Sequence, residues 1–466
     1  MSPIDRSVLD DSPPEGPDPG KDGGLTRRHL VQRASIAAAM ASPLVLAACG
    51  GSDSGSSNGG GGGSSGGGSG ATALGKQLNK YVGPGGPENG EGTTWNFGAS
   101  LPLSGAGAFF GHEMEHGMDL AVDHIKQAGG PDFAVSYEDN KTGDPNAGIQ
   151  NVRELGINGV AGMMASYLAD FGAELPGIAA YKILTIDPGG GTGGSFQEEP
   201  YFWGSRALWP EAPFPGVYKY VAEAKPEFKR VSLLIWDNGA SFVNPAVKAL
   251  EEAIKPHGLE LVSVEKSAAG STDFSTTIAR LKSANPDVIQ VAMSGADVAY
   301  FLKGKAAGGL TAQAIGADWN PETQKTAGST ADGFWFSFDY INAKKPPNPW
   351  AKIFFDEYKK KFGAEATWLA ANYYESTFIY WELIRRVLAE KGDINDGTTL
   401  QSALEADPEF PSLYGGNSGE AGTLTFDPKT HTIAKREISL LELEPSGEEK
   451  VLATFGLGGS DYKKVA

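Results

Sequence analysis

His112-Glu113-Met114-Glu115-His116 is the stretch of this 466-residue chain that most suggests catalysis. Two histidines one helical turn apart can hold zinc on one face, with the glutamate between them as base. The flanking residues argue otherwise. Asp119 and Val122 stand where an extended motif of this kind has a glycine and a third histidine, and Glu115 adds a charge between Glu113 and His116. A polar first turn of an amphipathic helix accounts for the same residues, with Met118, Ala121, Val122 and Ile125 as its buried stripe. A zinc peptidase using His112, Glu113 and His116 is kept as the lesser alternative. Gly55-Ser56-Ser57-Asn58-Gly59 and Gly62-Gly63-Ser64-Ser65-Gly66 fit the G-x-S-x-G nucleophile pattern, but no strand and helix flank them to strain the serine. Gly189-Gly190-Gly191-Thr192-Gly193-Gly194 lacks the Lys-Ser/Thr pair of a phosphate loop. No catalytic residue, metal or cofactor is expected.

The charge balance narrows the partners. With 39 basic and 57 acidic residues the formal charge is −18, which disfavours nucleic acid and anionic membrane surfaces, since both require cationic patches. A single cysteine, Cys49, excludes an intramolecular disulfide. Its setting is informative. Arg27-Arg28 precede an apolar run from Ile36 to Ala48 that is interrupted by Pro43. The run is too short for a membrane span, which needs roughly 20 apolar residues, and the pair of arginines before it reads as a Tat-type export signal. Leu46-Ala47-Ala48-Cys49-Gly50 resembles the lipobox of bacterial lipoproteins, in which the cysteine is diacylated and the chain is cut just before it. Two acyl chains anchor durably without a spanning helix. The Gly/Ser block from Gly50 to Gly70 is then a disordered tether with a typical reach of roughly 25 Å.

From Thr94 onward, strand and helix patterns alternate. Strands are expected at Thr94–Leu101, Phe133–Asp139, Val160–Ala165 and Ile183–Ile186, with helices at Gly111–Ala128, Asn146–Leu155 and Ala169–Tyr181 between them. A second series has strands at Arg230–Trp236, Leu259–Glu265, Val288–Ala292 and Ala314–Ala317. Its helices are Pro213–Ala224, Asn244–His257, Phe274–Ala284 and Val298–Ala307. Pro210, Pro213 and Pro215 lie between the two series. Helices at Pro349–Phe362 and Thr367–Lys391 follow, then strands at Gly422–Phe426 and Glu437–Leu443. Such alternation is the signature of doubly wound parallel sheets, here in two α/β lobes that share a C-terminal part.

Motifs along these elements resemble the type I periplasmic binding proteins of the leucine and branched-chain amino acid uptake family. They are Leu101-Pro102-Leu103-Ser104-Gly105, Phe110-Gly111, Glu138-Asp139-Asn140, Gly143-Asp144-Pro145, Thr272-Asp273-Phe274, Asn285-Pro286-Asp287-Val288 and Tyr374 in a long helix. Each is weak alone; their order and spacing from about residue 95 to 445 make the resemblance specific. It implies two doubly wound lobes joined by three crossovers and closing on a small solute, with an ABC permease in the membrane as partner. The implied boundaries are a signal peptide at 1–48, a tether at 49–92, a first lobe at 93–212 with 340–416, and a second at 213–339 with 417–466.

The resemblance also assigns binding roles. Ser166, with Gly189 and Gly191 or Thr192, would hold a solute carboxylate; Asp318, in Gly316-Ala317-Asp318-Trp319, would hold an ammonium. Phe110 and Tyr374 fall where the family places aromatics. The pocket departs from the branched-chain pattern at Ser294 and at Ser241-Phe242, where aromatics are expected. Trp203, Trp209, Trp236 and Trp319 cluster near loops expected at the cleft, which favours an aromatic or flat solute surface over a small aliphatic one. The expected function is therefore capture of an amino acid, or a related aromatic or amide-type solute, by a lipid-anchored, exported binding protein. A ligand sensor on the same fold is the nearest alternative.

Overall fold

A computed structural model describes residues 71–81, 89–166, 171–189, 199–207, 212–317 and 319–466 of the chain. The signal peptide, Cys49 and the Gly/Ser tether lie outside the described residues.

The first lobe is built on β1 (Thr94–Leu101), β2 (Asp132–Asp139), β3 (Gly162–Ala165), β4 (Leu184–Asp187) and β5 (Phe202–Gly204). All five are parallel; β1 is in register with β2 from Thr94 opposite Asp132 to Leu101 opposite Asp139. Central β3 and β4 are buried at every residue, as strands covered on both faces must be, whereas edge strand β2 alternates at its start. Ahead of them a short helix, α1 (Ala73–Leu78), is started by the Thr72 side chain accepting the Gly75 N–H. Helices α2 (Ala108–Gln127), α3 (Pro145–Ile157) and α4 (Phe171–Tyr181) connect the strands. Asp144 caps α3 by accepting the N–H groups of Asn146 and Ala147, with Pro145 pre-set at the first position.

The second lobe repeats the plan with α5 (Phe214–Ala224), β6 (Arg230–Trp236), α6 (Ala240–Ile254), β7 (Glu260–Ser267), α7 (Ser275–Ala284), β8 (Val288–Ala292), α8 (Ala296–Ala307), β9 (Gln313–Ala317), α9 (Pro321–Ala327) and β10 (Trp335–Phe338). The chain then returns to the first lobe for α10 (Pro349–Phe362), α11 (Trp368–Ala389) and α12 (Gly397–Ala406), followed by β11 (Glu409–Ser412), β12 (Gly422–Asp427) and β13 (Thr432–Lys435). It crosses a third time to add β14 (Ile438–Leu443), β15 (Glu449–Phe455) and β16 (Lys463–Lys464). The sheet orders are β11-β12-β13-β5-β4-β3-β1-β2 and β16-β15-β14-β10-β9-β8-β6-β7. Two parallel-dominated sheets joined by three crossovers agree with the architecture that the resemblance implied.

The third crossover corrects the expected boundary. The resemblance places residues 417–435 in the second lobe, but β12 pairs with β11 and β13 pairs with β5, so both extend the first sheet. The chain leaves the first lobe at Arg436, not at 416. A hairpin reads the same whichever sheet it joins, and the single β13–β5 bridge, Thr432 opposite Gly204, has no local signal.

Helix α11 is buried on nearly every side and ties the first lobe together. Its Tyr373 hydroxyl donates to the Ala165 carbonyl at 2.9 Å, and the Tyr380 hydroxyl sits 2.6 Å from the Met163 carbonyl. It crosses α2 so closely that a Cβ on Gly117 would stand 2.3 Å from the Ala370 carbonyl oxygen.

Candidate functional site

In open parallel sheets, ligands meet the loops that follow the carboxyl ends of the strands. On the first lobe these loops follow β1, β3 and β4; on the second they follow β6, β8 and β9. Asp139, the last residue of β2, pins the loop after β1: its Oδ1 accepts the N–H groups of Leu103 (3.0 Å), Ser104 (3.1 Å) and Lys141 (2.8 Å). Partial burial alone would raise its pKa, but these donors and the Ser104 side chain outweigh that and hold the carboxyl below its ordinary range. Asn140 then reaches across the sheet ends, donating Nδ2 to the carbonyls of Ser166 (2.6 Å) and Ser100 (3.3 Å).

Ser166, the residue after β3, is thus fixed through its own carbonyl by Asn140 and through the preceding one by Tyr373. It is fully buried, and its Oγ has no hydrogen-bond partner among the described residues. Gly189, two residues beyond β4, faces it. A Cβ on Gly189 would stand 1.8 Å from Ser166 Oγ and 3.2 Å from Asp187 Oδ1, so only glycine lets the three groups converge. The Gly189 N–H already donates to Asp187 Oδ1 at 2.8 Å. The result is a cradle with a hydroxyl and a carboxylate side by side. It can offer a hydrogen bond to an acceptor and take one from an N–H donor.

The other residues read from the sequence have separate fates. Phe110, 8 % exposed, reaches the second lobe: its ring carbons lie 3.5 Å from where a Cβ on Gly295 would be. Trp319 packs against Phe334 and Phe336 in the second lobe's core, its Nε1 donating to Gln324 Oε1 at 3.0 Å. Tyr374 is placed away from the cradle. It is fully buried among Trp350, Phe354 and Phe378, with its hydroxyl 2.7 Å from His124 Nδ1. A long helix buried all round presents aromatics on faces that point away from any cleft, and spacing alone does not separate them. Gly191, Thr192, Asp318 and Trp209 lie outside the described residues. Trp203 is core, stacked on His431 at 4.2 Å. Trp236 is half-buried, and its Nε1 donates to Asp297 Oδ2 at 2.7 Å.

The H-E-x-x-H residues are engaged with their own helix and with residues 358–367. His112 Nδ1 pairs with Glu115 at 3.1 Å, His116 stacks on Phe362, and Glu113 accepts from the hydroxyls of Tyr358 (3.0 Å) and Thr367 (3.1 Å). Among the described residues no group of three or more His, Cys, Asp or Glu side chains is arranged to hold a metal ion.

Four buried charged residues carry no expectation from the sequence: Arg206, Asp339, Arg436 and Glu375. Arg206 Nε donates to Asp339 Oδ1 at 2.9 Å while its Nη1 donates to the Gly189 carbonyl at 2.9 Å. Asn372 donates Nδ2 to both the Pro188 carbonyl and Asp339 Oδ2. Arg436 Nη2 donates to Glu375 Oε1 at 3.0 Å and to the Ser205 carbonyl at 3.1 Å. Burial alone would lower the Arg436 pKa, but the carboxylates of Glu375 and Asp339 raise it further. The available signal was positional: Asp339 comes directly after β10 and Arg206 two residues after β5, where the chain leaves its lobe.

A family model for periplasmic binding proteins matches residues 94–448. A Leu/Ile/Val-binding protein homolog of Brucella melitensis is 24% identical over 344 residues, covering 71% of this chain and 89% of its own length. Among solved structures, a branched-chain amino acid transporter substrate-binding protein of Streptococcus pneumoniae, in complex with isoleucine, superposes with a TM-score of 0.65. It is 21% identical and covers 77% of this chain and 99% of its own. An ABC transporter solute-binding protein of R. palustris, in complex with 4-hydroxybenzoate, gives a TM-score of 0.66 at 20% identity, covering 78% of this chain and 97% of its own. With the matched region spanning both lobes and all three crossovers, the chain belongs to the periplasmic binding protein family, the extracytoplasmic solute-binding components of ABC importers.

Proposed function

We propose that this chain is a lipid-anchored solute-binding protein that captures an amino acid, or an amide-type or aromatic relative of one, and delivers it to an ABC permease. The cradle of Ser166, Gly189 and Asp187 carries the reading. A hydroxyl beside a carboxylate suits a solute that brings both an acceptor and an N–H donor. An acid without an N–H group brings only half of that match. The family resemblance adds Gly191 and Thr192 to the carboxylate side and Asp318 to the ammonium side. Closure follows from differential contact: the solute stabilises whichever lobe arrangement touches it on both sides. The names of the curated relatives support an amino acid, and the aromatic acids bound by structural neighbours keep that class in the comparison.

The test is a thermal-shift screen of the full chain carrying Cys49→Ser against amino acids, amides, ureas, aromatic acids and zinc. A solute at 100 times its Kd stabilises by about 2.7 kcal/mol, a shift of several degrees. Shifts with amino acids or amides are expected. Shifts confined to aromatic acids, or to zinc, overturn the donor-and-acceptor reading. Anchoring has its own test: Cys49→Ser moves the protein from the membrane fraction to the soluble one, and retention on the membrane rejects the lipobox assignment.

A further inference from the structure

Among the described residues, each of the three crossovers carries a buried charge. Arg206 lies on the first, Asp339 opens the second and Arg436 opens the third; Glu375, from α11, is the fourth member, and all four are buried. Buried ion pairs are weak devices for stability, because desolvation offsets their attraction and apolar residues of similar volume often serve as well. Their value lies in fixing a geometry.

The two pairs have different mechanical positions. Glu375 is saturated within the first lobe: Oε1 accepts from Arg436, and Oε2 accepts from Ser412 Oγ at 2.7 Å and from the Leu413 N–H at 2.6 Å. That pair is an anchor. Asp339, in contrast, is rigidly continuous with β10 of the second lobe, and both of its oxygens are held by groups that also hold the loop after β4. Arg206 joins Asp339 Oδ1 to the Gly189 carbonyl, and Asn372 joins Asp339 Oδ2 to the Pro188 carbonyl. The guanidinium lies 3.7 Å over the Trp368 ring, which confines its plane. It cannot keep both bonds if the loop and the second lobe move independently.

We propose that Arg206, bridging Gly189 and Asp339, is a positioning residue that couples the start of the loop after β4, at Pro188 and Gly189, to the angle between the lobes. The coupling deepens the solute-binding reading of that loop, on which it rests for its purpose. Movement of the Pro188 and Gly189 carbonyls shifts the acceptors of Arg206 and Asn372, and the strain passes through Asp339 to the sheet of the other lobe. The same route works in reverse.

Spin labels at Gln150→Cys in α3 and Ala279→Cys in α7, both exposed positions, report the interlobe distance in the full chain carrying Cys49→Ser, with no solute added. Gly189→Ala forces a methyl toward Ser166 Oγ and displaces the loop, so it shifts the distance distribution. Arg206→Lys keeps the charge but loses the planar fork, and it reduces that shift while the Asn372 bridge remains; Asp339→Asn, which alters the end shared by both bridges, abolishes it, and adding Arg206→Lys changes nothing further. If Gly189→Ala shifts the distance equally in all backgrounds, or shifts it in none, the coupling is overturned, even where melting temperatures fall. Should Asp339→Asn fail to fold, Arg206→Lys combined with Asn372→Ser, which removes both bridges, decides in its place. A failed solute screen leaves these distances unchanged, so the two ideas fail separately.

Discussion

Ser166 offers its hydroxyl to a point that only a glycine at 189 leaves open. Gly189→Ala should therefore abolish solute binding by occupying the cradle. Ser166→Ala should weaken it by about 1.5–3 kcal/mol, the contribution of a hydrogen bond to a charged group, or roughly ten- to hundredfold in Kd. Isothermal titration with whichever solute gives the largest thermal shift checks both, and full affinity in Ser166→Ala removes the serine from the site. His124 carries a pH prediction. Burial lowers its pKa to about 4, outweighing the nearby carboxylates of Glu357 and Asp123. The buried Tyr374 phenol keeps its proton, and its hydroxyl lies 2.7 Å from Nδ1 of the neutral ring. The unfolded chain takes up a proton near pH 6.5 that the folded one refuses until about pH 4. Stability present above pH 6.5 is thus lost as pH falls toward 4, by about 3 kcal/mol in all. Urea unfolding at pH 7 and 4.5 should show a shallower loss in His124→Gln, and an unchanged slope would show that this ring does not govern the acid limb. Ser166 and Gly189 came from the family resemblance, which places a serine after the third strand and backbone groups after the fourth. Arg206, Asp339 and Asp187 were not legible, since a charged side chain looks the same in sequence whether it is solvated or paired with a residue 133 positions away.

Helices α2 and α11 approach so closely that backbone meets backbone at Gly117. A glycine inside a helix costs up to about 1 kcal/mol relative to alanine, so Gly117→Ala would stabilise an isolated helix. In the folded lobe the added methyl meets the Ala370 carbonyl, and overpacking of this kind costs about 1–3 kcal/mol. The prediction is a lower melting temperature by circular dichroism, with far-UV helix content retained. A rise would mean that the two helices do not make this contact in solution. Elements of this size were readable: β1, β6 and β8 and helix α10 occupy the expected residues, because alternating or apolar strand patterns, and Asn348, Pro349 and Gly363 at the ends of α10, leave little freedom. Strand β5, with three residues, and β13, held to it by one bridge, exist only through their neighbours. Helix α12 was missed for another reason. Its start, an Asp396 side chain accepting the Thr398 N–H, follows closely on the end of α11, and the segment reads as a polar linker.

Across the whole molecule, the lobes touch where Phe110 of α2 meets Gly295 at the start of α8. Gly295 has φ 62° and ψ −139°, a region that residues with a side chain rarely enter, so the backbone there is bare and the ring can lie against it. Two-lobe organisation was visible from the alternation of strand and helix, but this contact was not, because no local pattern states which loop of one lobe will face which loop of the other. It forms only after the lobes have come together, so it should govern solute release and not encounter. Phe110→Ala forfeits the part of the ring's burial that comes from the second lobe, about 1.5 kcal/mol, the low end for a large apolar side chain. Release should become roughly tenfold faster at an unchanged association rate, as expected for a contact made late. Stopped-flow tryptophan fluorescence with the solute selected by the screen separates the two rates. Tyr374→Phe is the matched control, since that ring faces the core of its own lobe and should alter stability but not release. Equal release rates in Phe110→Ala and the parent would show that this contact does not hold the closed state.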